Sequence, residues 1–549
     1  MIKYIGVILG VMSVQLAFAQ QDWEGDGELK SMEVVIDNER QISLPAASRN
    51  FSKVPPRPAE NTRPPFTYDF KSFLFETPQI SLSAKPLRLK AESKPSSFGG
   101  FVRAGYGNYA SPMLEGYMNT TRDPNKLVGV HVYHLSSGKG PVDDKNSGSG
   151  SSGVSLYGRS LNEAIALSGK VSFDNRATHF YGYEPNTPVN KKDIRQSFNR
   201  FKIGGELANS KNSDFDYTLG ADLSFLSDKY DAQELGVDLK VGTGYTINEN
   251  TRATVKFDYA VMNRKDNAVK GSARNLLRLT PSVKFTALEN LIFNVGFIAA
   301  FENDSIDEKK AHIYPDVSVT YPISPSVDFV GSLSGDMEKV SLQSLTNENL
   351  WLAPNVPLHH TNKTFDLQAS IRARLGNKVG VNGGLSITNL KNWYNYVNTL
   401  GDQSKFEVQY DMGGVKRTNL FATLSYVQSE RAKFMVRGDL FSYSADKLSN
   451  VYHRPTYKLL MNGSYNIFDK IILSAELLAQ GGMKAKDLAQ DRTITLRDAF
   501  DANVKVEYLF SETFSAFLLF NNISSNKYPI YMHYPVRGFQ CIGGITWSF

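Results

Sequence analysis

Between residues 97 and 549 apolar and polar side chains alternate at period two, in runs that reach about ten residues. In 365–375, Phe365, Leu367, Ala369, Ile371, Ala373 and Leu375 share one face, while Asp366, Gln368, Ser370, Arg372 and Arg374 share the other. The pattern recurs at 217–225 around Asp222, at 235–241 around Asp238 and Lys240, at 253–261 around Lys256 and Asp258, and at 434–440 around Arg437 and Asp439. Strands of soluble proteins average about 5–6 residues, whereas a tilted strand crossing a bilayer needs about 9–11 with one apolar face. These runs therefore predict membrane-crossing strands whose apolar face meets lipid and whose charged face lines water.

The connections support this. Turns of a few residues near 122–126, 161–163, 209–214, 248–250, 287–289, 322–325, 376–378, 428–431, 468–470 and 511–513 alternate with longer connections such as 138–153, 338–362 and 522–537. Short turns on one rim and long loops on the other are the signature of an outer-membrane barrel. Following the alternation predicts an all-β fold, a transmembrane antiparallel up-and-down barrel of about 22 strands. The run 405–410 is read as an extracellular extension of the strand through Leu420 and Tyr426, because a strand of its own would break the even count. An even count puts both ends of the barrel on one side of the membrane, the periplasmic side.

The chain before the barrel has a different texture. Residues 1–19 combine Lys3, an apolar run and Ala17-Phe18-Ala19, the features of a secretory signal peptide cleaved after Ala19. That run is too short to span a bilayer as a helix. Residues 20–96 are rich in proline and form an extended segment, placed in the periplasm or threading the lumen. The single cysteine, Cys541, excludes an intramolecular disulfide framework. A net charge of +6 spread over 549 residues does not point to nucleic acid. The 33 Phe and 27 Tyr suit strands and membrane interfaces.

The end of the chain carries a resemblance. Phe520-Asn521-Asn522, then Asn526-Lys527-Tyr528, Tyr534-Pro535-Val536-Arg537-Gly538 and the closing Ile545-Thr546-Trp547-Ser548-Phe549 resemble the last hairpin of TonB-dependent receptors. The stretches from Glu33 to Pro56 and from Gly105 to Tyr117 are similar to receptor-like barrels of this kind common in Bacteroidota. Glu33-Val34-Val35-Ile36 resembles the TonB box, which adds a strand to the edge of TonB's sheet. The resemblance implies an outer-membrane location, insertion by the barrel assembly machinery through the strand carrying Phe539, Ile545, Trp547 and Phe549, and TonB or another envelope protein as partner. The departure is the plug: with residues 1–19 removed, 77 residues (20–96) precede the first strand, against the well over a hundred of a receptor's plug domain.

Candidate chemistry is sparse. His134 and Ser136 lie two apart on one strand face, and His359-His360 falls in a long loop without a third ligand at metal-binding spacing. No catalytic residue, metal or cofactor is expected. Better placed for function are the charges predicted to face the lumen: Asp222, Asp238, Lys240, Lys256, Asp258, Arg372, Arg374, Arg437 and Asp439. The expected function is binding or passage of a solute at the outer membrane. The alternative is a structural barrel anchoring an envelope complex, and a hydrolase has only His134 and Ser136 in its favour.

Overall fold

A sheet immersed in hydrocarbon has no water to satisfy its edge N–H and C=O groups, so strands of this length must close on themselves. The structure, a computed structural model, describes residues 99–549 apart from 121, 122, 124, 185, 211, 212, 304–308 and 430. Twenty-two antiparallel strands form one closed barrel. They run from Gly100–Gly107 to Gln540–Ser548 and are 8 to 16 residues long. No described helix is long and apolar enough to cross a membrane. The first and last strands close the ring, with Phe101 opposite Ser548 and Gly107 opposite Ile542. At the rim Gly100 and Phe549 exchange two backbone hydrogen bonds of 3.0 Å.

The turns predicted from sequence all lie on the rim that carries the two barrel ends, and the long loops lie on the other. One assignment is corrected. Phe406–Tyr410 is not an extension of Val415–Gln428 but pairs with Tyr394–Asn398 in a separate hairpin within the long loop. Its alternation reflects burial of Phe406 and Val408 among other loops, a second use of period two that leaves the strand count unchanged.

Facing is set by the pleat. Leu219, Leu223, Leu235, Leu239, Leu367 and Ile371 are exposed on the outer surface. Near the turn rim Tyr245, Tyr321, Tyr465, Phe468, Tyr508 and Trp547 are exposed as well. An apolar band with aromatic residues at its edge is the surface of a membrane-spanning barrel. Phe539, Ile545, Trp547 and Phe549 are all exposed along the last strand, and the rings of Trp547 and Phe549 lie 5.0 Å apart. The opposite face is the inside. Arg200, Glu234, Arg264 and Arg274 come from four of five successive strands and all reach the single loop 339–360, which only a concave interior permits.

The seam depends on a close approach. A Cβ on Gly544 would sit 2.3 Å from the Ala104 carbonyl oxygen and 2.5 Å from the Phe517 ring. Gly544→Val is therefore expected to keep the barrel from closing. The heat-modifiable band that unboiled protein should give on electrophoresis disappears in this variant; a normal shift would show that the seam tolerates the side chain.

Candidate functional site: a loop cap above a charged wall

The long loops do not hang free. Leu342–Glu348 forms a short helix, α1, inside the mouth. Its start is fixed twice. Ser341 and Ser344 make a reciprocal capping box, with Ser344 N donating to Ser341 Oγ at 3.1 Å and Ser341 N to Ser344 Oγ at 2.9 Å. The Glu234 carboxylate on the barrel wall accepts the next two orphan donors, Leu342 N at 2.8 Å and Gln343 N at 3.0 Å. Arg200 donates to Thr346 Oγ1 at 3.3 Å and also to Asn347. Arg274 reaches the Val340 carbonyl at 2.9 Å, and Lys339 pairs with Asp238 at 2.5 Å.

Above α1 an aromatic core joins four loops. Trp351 lies 4.1 Å from Tyr534 and 5.7 Å from Tyr181 between ring centroids, and Phe406 packs on Tyr531 at 5.3 Å. Their polar tips are satisfied: Trp351 Nε1 donates to the His179 carbonyl at 3.0 Å and Tyr531 Oη to the Glu348 carbonyl at 3.1 Å. Glu348 accepts from Tyr394 at 2.8 Å, Tyr396 at 3.2 Å and Arg454 at 2.6 Å. Burial, then the nearby Glu348 charge, pushes the Tyr396 and Tyr531 phenols far up, so both stay neutral donors. His453 donates through Nδ1 to the Tyr396 carbonyl at 2.9 Å and accepts from Met532 N at 3.2 Å. Burial pulls its imidazole down to about 4.

Beneath this cap the interior wall is charged. Asp222, Asp238, Lys240, Lys256 and Asp258 come together there. Asp222, Lys240, Lys256 and Asp258 line a cavity of about 760 Å³. Asp222, Lys240 and Asp258 also line, with Asp238 and Lys339, a cavity of about 290 Å³ under the cap. Lys202 pairs with Asp222 at 3.3 Å, and Arg278 with Asp258 at 3.9 Å. The other predicted charges lie elsewhere. Arg374 meets Asp328 at 3.8 Å near the turn rim, one pleat from Arg372, and Arg437 makes two 2.8 Å hydrogen bonds to Asp439.

His134 sits opposite Leu114 on the outer face, its ring nitrogens 2.7 Å from Ser152 Oγ and 3.0 Å from Ser136 Oγ. Two hydroxyls thus satisfy an interfacial histidine. Among the described residues no group of three His, Cys, Asp or Glu side chains is placed to hold a metal. His360 Nδ1 accepts from Val340 N at 3.0 Å; burial first, then Arg274 and Lys339, pull its imidazole down to about 2. Glu33 to Ile36 lie outside the described residues.

With this geometry the kinship of the fold is decided by comparison. The chain has the barrel fold of the outer-membrane siderophore receptors. The siderophore receptor PirA from Acinetobacter baumannii matches with a TM-score of 0.64 at 10% identity, over 82% of this chain and 80% of that one. The ferric-catecholate import receptor Fiu from Escherichia coli matches with a TM-score of 0.62 at 9% identity, over 82% of each chain. The ferripyoverdine receptor of the outer membrane of Pseudomonas aeruginosa matches with a TM-score of 0.60 at 11% identity, over 83% of this chain and 72% of that one. No family model and no curated protein matches the sequence. At such identities the likeness is one of fold, and the resemblance in the last hairpin agrees with it.

What the long loops add to this barrel fold is the cap; in sequence the loops are one of three candidates to occlude the lumen, beside the N-terminal segment and a partner, and the packing among them is not apparent. The available signal was the aromatic content of the long connections, Trp393-Tyr394-Asn395-Tyr396 and Tyr531-Met532-His533-Tyr534 above all. Loops meant only for water do not need it.

Two outcomes follow for the cap. Glu348→Ala leaves Arg454 without its carboxylate and costs about 2–3 kcal/mol, less than a fully buried pair because Glu348 keeps 30% side-chain exposure. Protease cleavage within 339–360, absent from the wild type in proteoliposomes, is expected in this variant. Acid acts through His453, whose folded pKa lies below its unfolded value near 6.5. The stability it contributes is complete above pH 6.5 and is lost as pH falls towards 4, on the order of 3 kcal/mol. In a variant keeping Trp351 as its sole tryptophan, emission should shift to the red over this range, and replacing His453 with Gln should remove most of the shift.

Proposed function

We infer that the chain is a receptor-type barrel of the Gram-negative outer membrane that binds a solute or admits it to the periplasm, with its loops as the gate. The observation that carries this reading is the vertical order of the barrel: an aromatic cap across the mouth, then a wall bearing charges of both signs. A barrel of about 22 strands encloses a lumen wide enough to leak unless something fills it. Here the loops do what a plug does in transporters, and gating becomes a matter of moving loops.

The remaining parts of this proposal come from sequence. Residues 1–19 direct secretion, both barrel ends face the periplasm, and 20–96 lie in the periplasm or thread the lumen. Phe539, Ile545, Trp547 and Phe549 present the outward apolar edge that the barrel assembly machinery recognises. Glu33 to Ile36 offer TonB a strand. The solved neighbours favour a transport receptor over an enzyme.

A second reading, a structural anchor without transport, draws on the same cap, since a barrel permanently shut at one end passes nothing. Planar-bilayer recordings separate the two. The wild type is expected to be silent or to open rarely, and deletion of 339–360 to produce steady ion conductance. A deleted barrel that stays silent, and that leaves detergent with a stoichiometric partner, favours the anchor. TonB coupling has its own test. Val35→Pro removes a backbone donor from the strand offered to TonB, so capture by TonB's periplasmic domain should fall to background.

A further inference from the structure

The charges beneath the cap do not balance among themselves. Five cations line the larger cavity, Arg159, Lys170, Lys202, Lys240 and Lys256, with three carboxylates, Glu206, Asp222 and Asp258. Lys202 is paired with Asp222, and Asp258 faces Arg278 from outside this group. Arg159, Lys170, Lys240 and Lys256 are therefore offset by Glu206 and by Asp258, which stands across from Lys240 and is shared with Arg278; none of the four makes an ion pair or hydrogen bond with a described residue.

Their placement is ordered. They stand on four strands, Ser149–Leu161, Ile165–His179, Gln233–Asn248 and Thr251–Lys265, each on the face opposite exposed leucines, valines or phenylalanines. The strands between them contribute Gly220 to the same wall, and Gly242 stands beside Lys240. A Cβ at Gly220 or Gly242 would find no atom closer than 3.7 or 3.9 Å, so these positions leave space rather than relieve a clash. The result is a concave basin with cations at its margin and bare backbone at its floor. In a water-filled cleft with low-dielectric walls the field of such a group is focused, and a counter-charge entering it is held more strongly than on an open surface.

We propose that this basin is an anion-binding site, which takes a solute carrying two or more carboxylate, phosphate or sulfonate groups. The proposal deepens the receptor reading and rests on it: the anion is the class of solute that the barrel holds below its cap. Lys240 and Lys256, on adjacent strands, grip one end; Lys170 and Arg159 grip the other. Glu206, across the basin, disfavours a ligand that is anionic over its whole surface and favours one with a hydroxyl or amine to donate.

The test uses the full-length protein in detergent, with the fluorescent trisulfonate pyranine as the probe and anisotropy as the readout. Saturable binding is expected, weakening as salt is raised. The double substitution Lys240→Gln with Lys256→Gln should weaken it at least tenfold. Gly220→Leu, which fills the floor and leaves the charge alone, should weaken it as well. Lys145→Gln, an exposed loop lysine, should not. Heat-modifiable mobility shows that each variant is folded. Equal affinity in the wild type and the double variant, or equal affinity after Lys145→Gln and after the double substitution, would overturn the assignment. Binding in detergent does not depend on passage. A protein that binds pyranine but stays silent even after deletion of 339–360 retains the site and loses the transport reading, and one whose deletion conducts but which ignores pyranine retains transport and loses the anion site.

Discussion

Every backbone N–H and C=O in the hydrocarbon layer must find a partner within the protein, and the rest of this structure follows from meeting that demand with strands. Closure through Gly100–Gly107 and Gln540–Ser548 removes the last free edges. It also creates the next problem. Twenty-two strands enclose far more space than their inward side chains can fill. The loops solve it by folding inward around Trp351, Tyr531 and Tyr534, and the barrel wall holds them there with Arg200, Glu234 and Arg274. Wall and cap are thus one construction: the charged groups at the top of the wall are the cap's fastenings.

The division of labour among the interior charges explains why they look alike in sequence and differ in role. Glu234 and Arg274, near the loop rim, are consumed in fixing α1 and the segment before it. Arg437 and Asp439 satisfy each other. Asp238 is divided between wall and cap through Lys339. Lower down, Lys240 and Lys256 make no ion pair or hydrogen bond with a described residue, and there the wall has charge to spare for a ligand.

How much of this was legible in the sequence depends on the range of the interaction. Strand positions, their facing and the turn rim were all legible, because the pleat writes lipid and water contacts into a period of two and every strand repeats it. The hairpin at Phe406–Tyr410 defeated the same rule: its alternation answers to the cap core and not to the bilayer. That the loops could occlude the lumen was one of three options in sequence, but the packing that makes them a cap was illegible, since it depends on contacts such as Tyr181 with Tyr534 and Trp351 with His179 across more than 170 residues. The resembling stretches turn out to serve these ends. Tyr534 fills the centre of the cap, and the Asn522 side chain donates to the carbonyls of Asn526 at 2.9 Å and Arg537 at 2.8 Å to shape the loop that delivers it. Asn108, from the other stretch, ties the first hairpin to the last strand through Cys541 N at 3.0 Å.

Amide hydrogen exchange on the protein in lipid nanodiscs at neutral pH bears most directly on the central claim, that the loops form a packed cap. The segment 339–360 should exchange as slowly as loop-side strand ends such as 195–200 and 361–366, with the amides of Leu342 and Gln343, held by Glu234, among the most protected in the loop. Exchange of that segment within seconds, against protected strands on either side, would mean an open mouth and would contradict the account.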